Sequence, residues 1–186
     1  VYRDNREKII AQASQMQDIF SKINQRSAVL NQPLLPFVDK IISYLDEEHG
    51  SFKGAPKFPQ FYLFDAMFYF YLKTNDEKYL KPVETLLKNI CSKGIYDQLI
   101  GGIARYTVDD KWIIPHFEKM LYDNIQFISL LSKFYQSTKS DYFKKKLTQT
   151  ISYINTEFVN DIGLYGSAYD ADSEGVEGKF YTWFFD

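Results

Sequence analysis

The chain has 186 residues, 45% hydrophobic and 25% charged, and 22 basic against 24 acidic residues leave a formal net charge of −2. This length is enough for one sizeable hydrophobic core. The balanced charge provides no overall field for nucleic acid or an anionic membrane, so neither is predicted as a partner. The most apolar run, Phe61 to Leu72, is shorter than the roughly 20 residues that span a bilayer and contains Asp65, which favours a buried core helix.

Cysteine and aromatic content narrow the function classes further. Cys91 is the single cysteine, so no intramolecular disulfide can form, and its apolar setting predicts an inert thiol in a reducing, cytoplasmic compartment. Two histidines and one cysteine give no zinc spacing, and no phosphate loop or dinucleotide fingerprint is found, so no metal and no cofactor are expected. Aromatic residues make up 18% of the chain, which suits either a packed helical core or a sugar-binding cleft.

Apolar residues recurring every three or four positions predict six helices. The first helix is expected at about Asp4 to Asn24. Residues 1–30 are assigned to a linker helix from an upstream domain, because the chain starts without an initiator Met. A polar stretch, residues 25–33, then breaks the pattern. The other five helices are expected in residues 31–186, at about 34–49, 61–73, 79–90, 116–138 and 143–158.

The connections between these helices alternate in kind. Two are short and polar, residues 74–76 and 137–140, whereas 50–59, 94–115 and 163–180 are long and glycine-rich. The alternation is typical of helical hairpins joined by functional loops. After three of the helices the triplet Gly-x-aromatic recurs, at residues 50–52, 94–96 and 163–165, which suggests a repeat. Repeated hairpins would curl into a ring with the three long loops on one rim, where sites on repeat scaffolds usually lie.

A small β-hairpin is predicted inside the second long loop. Residues 103–108 and 111–114 flank Asp109-Asp110 and have the composition of two short strands around a turn. Pairing across that turn would place Arg105 and Trp112 on the same face, close enough for the guanidinium to stack on the indole.

His116 is the strongest candidate for chemistry. Pro115 suits the first turn of a helix, so His116 is expected at a helix N-terminus, with Lys119 and Asp123 following on the same face. The helix dipole would then keep the imidazole neutral and able to accept a proton near pH 7, with Asp123 orienting it. The alternative is a histidine bonded to a nearby carbonyl, with Asp123 and Lys119 as an internal ion pair.

The acidic run at residues 170–178 is the second candidate cluster. It begins like a calcium loop, but Tyr181 stands where a bidentate Glu is required, which argues against an EF-hand. Two interpretations stay open for Asp170, Asp172 and Glu174. They either face the rim as acids, bases or ligands of sugar hydroxyls, or they cap the backbone of their own loop.

Lys57 lies in a segment held extended by Pro56 and Pro59. Its ammonium either points into the rim as a substrate contact or is solvated. The sequence alone leaves both possibilities open.

Three motifs together resemble one known family. They are the hexapeptide GAPKFP at 54–59, the stretch at 96–124 from YDQL through GG, RY and W to PHFEKMLYDN, and the stretch at 170–181 that contains DADSEG and EGKFY. In this order they are similar to the YyaL-type, spermatogenesis-associated thioredoxin-domain proteins. The resemblance implies an (α/α)6 toroid similar to six-hairpin glycosidases and N-acylglucosamine 2-epimerases. It also implies a preceding thioredoxin-like domain and later hairpins, which these 186 residues do not contain, so no redox function is expected of them.

The leading hypothesis is an all-α chain that forms the N-terminal part of this toroid and binds a saccharide or polyol, which it isomerises or hydrolyses. In the similar epimerases a histidine on the inner face transfers protons, and the resemblance carries that role to His116, with Asp123 as its orienter. The proposed substrate contacts are Arg105, Tyr106, Trp112, Lys57, Asp170, Asp172 and Glu174. The alternative is a non-catalytic domain that presents clients to, or docks against, the thioredoxin module. Because a partial toroid leaves apolar helix faces uncovered, self-association is also expected.

Overall fold

The computed structural model describes residues 5–23 and 34–182. Within these residues lie six α-helices and three two-stranded antiparallel sheets. The helices are α1 (Arg6–Ile23), α2 (Leu34–Ile42), α3 (Phe61–Thr74), α4 (Glu77–Ser92), α5 (Leu121–Thr138) and α6 (Asp141–Glu157). The strands are β1 (Tyr106–Thr107), β2 (Pro115–His116), β3 (Lys119–Met120), β4 (Ala168–Tyr169), β5 (Asp172–Ser173) and β6 (Val176–Glu177). A mainly helical chain with small β-hairpins in its loops is therefore confirmed.

The chain divides into two compact units, Val1–Leu34 and Leu35–Asp186. The described part of the first unit is chiefly helix α1, close to the predicted bounds. The assignment of residues 1–30 to a linker helix stays a prediction, and the polar break at 25–33 lies outside the described residues.

The core of the second unit is formed by two helical hairpins. Helix α3 packs on α4, α5 packs on α6, and α3 also packs on α5. The rings of Phe61 and Phe127 and those of Phe68 and Phe134 join α3 to α5, with centroids 5.6 and 6.2 Å apart. Each such large apolar side chain contributes roughly 1.5–3 kcal/mol when fully buried. The fully buried core includes Phe64, Met67, Val83, Leu86, Leu87, Ile90, Cys91, Leu130 and Leu131.

Cys91 has the environment that the sequence predicts. Its side chain is buried in the core, and burial raises the pKa of the thiol to about 12. The thiol is therefore protonated and unreactive near neutral pH. The cytoplasmic location inferred from this cysteine stays a prediction.

Helix α2 ends earlier than predicted, at Ile42 rather than near His49. The carboxylate of Asp46 accepts hydrogen bonds from the backbone N–H groups of Glu48 and His49, at 3.1 and 2.9 Å. This local side-chain turn competes with helical hydrogen bonding and replaces the last turn of the predicted helix.

The repeated Gly-x-aromatic triplet corresponds to a partly repeated structure. Phe52 and Tyr165 each form an isolated β-bridge back to a residue before the triplet, Leu45 and Val159, whereas Tyr96 bridges forward to Ile103. The first and third loops therefore begin in the same way, and the second begins differently.

The predicted hairpin in the second long loop exists, but its strands pair differently. Strand β1 pairs with β2, so that Tyr106 lies opposite His116. The carboxylate of Asp109 closes the intervening loop by accepting the N–H groups of Lys111, Ile113 and Ile114. Burial alone would raise the pKa of Asp109, but these hydrogen bonds outweigh it and lower the pKa.

The predicted start of the fifth helix is wrong. Pro115 and His116 belong to β2, and β3 pairs with β4 in the third long loop, Lys119 opposite Tyr169. These pairings hold the backbone extended until Met120, and helix α5 begins at Leu121. His116 therefore does not begin a helix, and His116 and Asp123 do not share a helical face.

Candidate functional site

Backbone pairing brings the three long loops together. Lys57 in the first loop exchanges both backbone hydrogen bonds with Thr107 in the second, at 2.8 and 3.0 Å. The second loop continues beyond residue 115 to Met120, where α5 begins, and so includes β3. Strand β3 pairs with β4 of the third loop, and the N–H of Leu121 donates to the carbonyl of Ser167 at 2.9 Å. Side chains that are far apart in the sequence are therefore neighbours here.

His116 and Glu177 form the central pair of the site. The imidazole Nδ1 lies 2.7 Å from Oε1 of Glu177, and the His116 side chain is 25% exposed. A carboxylate can only accept a hydrogen bond, so Nδ1 carries the proton of this bond. In the neutral imidazole, Nε2 then holds the free lone pair and is able to accept a proton from a ligand.

A stack of rings holds the imidazole from one side. Tyr106 lies directly across the β1–β2 pair from His116, and the two rings stack with centroids 4.7 Å apart. Phe58 stacks on the other side of Tyr106, at 4.8 Å. Cross-strand packing and the Glu177 carboxylate together fix both the position and the tautomer of the imidazole.

A cavity of about 200 Å³ adjoins this stack at Phe58. Asp123 lines the cavity, and its Oδ2 atom is buried without a hydrogen-bond partner. Burial raises the pKa of Asp123 to about 6, although the nearby Arg105 guanidinium acts in the opposite direction. Near neutral pH this carboxyl group therefore titrates, which is unusual for an aspartate and typical of functional sites.

Arg105, which also lines this cavity, forms an ion pair with Glu118. Its Nη1 lies 3.1 Å from Oε2 of Glu118, and both side chains are partly exposed. The guanidinium also lines the Asp123 cavity. Its remaining N–H groups make it suited to contact ligand oxygens.

Four of the predicted site residues lie in this region: His116, Tyr106, Arg105 and Asp123. Two predicted contacts of Asp123, with His116 and with Lys119, are wrong. Glu177 rather than Asp123 is the carboxylate on the imidazole. Lys119 pairs with Asp97 at 2.8 Å, so the alternative ion pair between Lys119 and Asp123 is wrong as well.

Trp112 and Lys57 belong to the core rather than to a cleft. The fully buried Trp112 donates its Nε1–H to the carbonyl of His49 at 2.7 Å, and the Lys57 ammonium lies 5.5 Å from the indole centroid. Lys57 is itself buried and pairs with Asp46 at 2.8 Å. Arg105 therefore does not stack on Trp112, and Lys57 is neither solvated nor open to a ligand.

Of the three acidic residues predicted as sugar contacts, two share one cavity and the third does not. Asp170 accepts the N–H of Asp172 at 3.0 Å, and both residues line a second cavity of about 370 Å³. Glu174 forms an ion pair with Lys179. A role for these carboxylates in binding a saccharide stays a prediction.

Glu177 and Glu118 were missed by the sequence analysis. Both stand inside the motifs used for the family resemblance, but nothing in a run of carboxylates indicates which one contacts a distant histidine. Glu177 is brought to His116 only by the pairing of the second and third loops.

Among residues 5–23 and 34–182, no cluster of three His, Cys, Asp or Glu side chains is suited to hold a metal ion. Nor does this described part contain a helix long and apolar enough to cross a membrane.

Comparison with known sequences gives one group of relatives. No protein-family model matches the chain. It is 34% identical over 148 residues to spermatogenesis-associated protein 20 of Rattus norvegicus and 32% identical to that of Homo sapiens, and each match covers 74% of this chain and 19% of the relative. An uncharacterized protein of Caenorhabditis elegans is 34% identical over 154 residues, 76% of this chain and 21% of the relative. The chain thus spans about a fifth of the length of these curated relatives.

Comparison with solved structures shows the fold. A cellobiose 2-epimerase from Spirochaeta thermophila superposes with a TM-score of 0.58 at 14% identity, over 77% of this chain and 42% of that chain. A sugar epimerase from a ruminal bacterium gives 0.58 at 17% identity, over 84% and 44%. A cellobiose 2-epimerase from Bacillus thermoamylovorans gives 0.57 at 17%, over 73% and 41%.

Identities this low show the fold alone, and that fold is part of an (α/α)6 toroid, as the resemblance predicted. The sequence matches and the toroid fold together confirm the family resemblance: the chain is a relative of spermatogenesis-associated protein 20, with which it shares a segment of about 148 residues.

Proposed function

We propose that this part of the toroid binds a saccharide and that His116 transfers a proton to and from it. The observation that carries the proposal is the pair formed by His116 Nδ1 and Glu177 Oε1 at 2.7 Å, because it leaves Nε2 as the proton acceptor. The ring of Phe58, which ends the stack with Tyr106 and His116 and is 37% exposed, offers an apolar surface of the kind that sugar rings pack against. The likeness of the fold to sugar epimerases supports the choice of ligand class.

The chemistry best suited to this pair is isomerisation or epimerisation beside a carbonyl group. Nε2 of the neutral imidazole accepts the proton from the carbon next to the carbonyl, and the C–H bonding electrons move onto the carbonyl oxygen to give an enolate. Return of a proton to carbon restores the carbonyl and completes the reaction. Glu177 stabilises the imidazolium that forms in between, as a carboxylate does in other His–carboxylate pairs.

The proposal is tested by hydrogen exchange at carbon. The protein is incubated in D2O with D-glucose, D-mannose or cellobiose, and deuterium at the carbon next to the carbonyl is measured by NMR. We expect His116→Ala to slow exchange by about 100-fold or more, the usual contribution of a general base. Glu177→Gln should slow it less, because the base is kept while its orientation is weakened.

Glu84→Gln is the control, since Glu84 lies on helix α4 and pairs with Lys88 instead of the imidazole. Its exchange rate should equal that of the wild type. Equal rates for His116→Ala and the wild type would contradict the proposal.

A non-catalytic binding domain is the second candidate function. It is favoured by the exposed apolar side chains Leu99 and Phe180, 74% and 70% accessible, which line a cavity of about 520 Å³. In that case no saccharide exchanges deuterium, and a reduced, unfolded polypeptide binds to the protein instead. The double variant Leu99→Ser, Phe180→Ser should then abolish that binding, whereas His116→Ala should leave it unchanged.

A further inference from the structure

The cavity beside Phe58 has the composition of a sugar-ring site. Its apolar wall is formed by Phe58, Pro59 and Tyr62, which lie at the N-terminal end of helix α3. Its polar groups are planar and rich in hydrogen-bonding atoms: the Arg105 guanidinium, the Asp123 carboxylate and the amides of Gln60 and Gln126. Rings with one apolar face and several hydroxyl groups match such a combination of aromatic and planar polar side chains.

The Asp123 carboxyl group in this cavity is incompletely hydrogen-bonded. Its Oδ2 is buried and accepts no hydrogen bond from the described residues. Arg105 and Tyr122 face the carboxyl group and favour its charged form, whereas Glu118 and burial disfavour it. The Asp123 carboxyl group also lines the cavity, so a ligand hydroxyl that donates to it stabilises a carboxylate that burial otherwise disfavours.

The volume of the cavity sets the size of the ligand. Sites for drug-sized molecules enclose about 300–1,000 Å³, and this cavity of about 200 Å³ is smaller. It therefore suits a single ring and not a whole disaccharide. Two ring contacts, Phe58 on Tyr106 and Tyr106 on His116, separate the cavity from the imidazole.

We propose that this cavity is the subsite for one sugar ring, which packs on Phe58 and donates hydroxyl hydrogens to Asp123. Because the rings of Phe58 and Tyr106 lie between this cavity and His116, the ring in the subsite is not the unit that reacts at His116, and a substrate that reaches both positions has more than one sugar unit. The ligand class rests on the proposed function, but binding in the subsite does not require His116 to act as a base.

The test compares Asp123→Leu and Asp123→Asn with Asp141→Asn. Asp141 is a matched control, because it occupies the first turn of α6 as Asp123 does that of α5, but is exposed. Binding of D-glucose, cellobiose and the acyclic polyol sorbitol is measured by calorimetry, with melting temperatures as a check on folding. We expect Asp123→Leu to weaken binding of glucose and cellobiose at least about ten-fold, the contribution of a hydrogen bond to a charged group.

Asp123→Asn should have an intermediate effect, because its amide oxygen still accepts one hydrogen bond, and Asp141→Asn should bind as the wild type does. Sorbitol should bind more weakly than glucose, since it has the hydroxyl groups without the ring that packs on Phe58. Because the raised pKa of Asp123 lies near 6, binding by the wild type should tighten from pH 5 to pH 7.5. The pH dependence should disappear in Asp123→Asn.

The possible failures are distinguishable. Unchanged glucose and cellobiose affinity in a folded Asp123→Leu variant would overturn the subsite, while deuterium exchange that depends on His116 would still support the proposed function. Loss of binding in Asp123→Leu together with no exchange for any saccharide would support the subsite and reject proton transfer. If the wild type binds none of the three probes, both proposals are wrong.

Discussion

At the scale of single residues, Lys57 and Asp123 show how partners decide the role of a buried charge. The ammonium of Lys57 donates to Asp46 at 2.8 Å and to the carbonyl of Phe52 at 2.9 Å. Asp123 has an unpartnered buried oxygen and a pKa raised to about 6. Lys57 therefore stabilises the fold through its two partners. The Asp123 carboxylate destabilises the fold unless a ligand contacts it.

Asp123→Asn is predicted to stabilise the protein in a way that depends on pH. The pKa of Asp123 is raised from an ordinary value of 3.8 to about 6, so the folded state binds more protons than the unfolded state between these values. Its contribution to stability is therefore lost as pH rises through this window. At pH 7.5 the variant should gain on the order of 1 kcal/mol, after allowance for solvent screening at a partly exposed site.

Near pH 4 the gain should vanish, because the native carboxyl group is then neutral. Urea unfolding at pH 4 and pH 7.5 measures both values. Equal effects at the two pH values would show that the charge of Asp123 is not the cause.

Lys57→Ala is predicted to destabilise strongly. It leaves the largely buried carboxylate of Asp46 without its cation, and breaking a buried pair in this way costs about 3 kcal/mol or more. The exposed pair of Lys88 and Glu84, with atoms 2.6 Å apart, is the comparison. Lys88→Ala should cost no more than about 0.5 kcal/mol. Similar midpoints of urea unfolding for the two variants would contradict the assignment of Lys57 to the core.

The sequence identified His116, Tyr106, Arg105 and Asp123 as candidates because polar and aromatic residues are concentrated in one otherwise apolar stretch. It could not identify the partner of His116, since Glu177 is 61 positions away. Trp112 and Lys57 were assigned wrongly for a related reason. Residue type does not reveal burial when the buried contacts come from other loops.

At the scale of secondary-structure elements, Asn124 explains how the second loop is held on helix α5. Its side chain is fully buried, accepts the N–H of Ile103 at 2.8 Å and donates to the carbonyl of Ile103 at 3.1 Å. One amide thus pairs with a loop residue as a neighbouring strand would. A third bond, to the carbonyl of Met120 at 2.9 Å, fixes the start of the helix.

Asn124→Ala is predicted to cost about 3 kcal/mol, because it leaves the buried N–H and C=O of Ile103 without partners. Asn89→Ala is the control. The Asn89 amide donates to the carbonyls of Glu48 and Thr85, at 3.0 and 2.9 Å, in a less buried place. Its loss should cost about 1 kcal/mol. Chemical unfolding compares the two variants, and equal costs would mean that Asn124 does not clamp the loop.

Apolar periodicity predicted that the helices exist. It did not predict two of their boundaries, the end of α2 and the start of α5. Periodicity reports which face is buried over several turns, and it placed α3, α4 and α6 within a few residues. The start of α5 was wrong because Lys119 and Met120 pair with Tyr169 and Ala168, about fifty positions away. The end of α2 was wrong because the Asp46 side chain forms a local turn.

At the scale of the whole molecule, the toroid was predictable because three motifs in order resembled one family, and the fold followed from that likeness. The approach of the three long loops was predictable from their alternation with short connections. Which side chains meet there was not, because the two-residue strands that join the loops carry no distinctive pattern of their own.

Self-association stays a prediction, and the exposed face of α3 is where we expect it. Tyr69 and Leu72 on this helix are 55% and 61% accessible. Sedimentation velocity should show association that increases with concentration and is reduced in the double variant Tyr69→Ser, Leu72→Ser. The loop variant Tyr165→Ser should associate as the wild type does. A monomer at all concentrations would contradict this expectation.

The central claim is that the meeting point of the three loops is where a saccharide binds. Hydrogen–deuterium exchange of the backbone, measured by mass spectrometry with and without saturating cellobiose, tests it most directly. Cellobiose is predicted to slow exchange in peptides covering residues 56–63, 104–108, 115–124 and 170–178. Protection confined to residues 94–100 and 180–182, or no protection with cellobiose, D-glucose or D-mannose at any concentration, would contradict the claim.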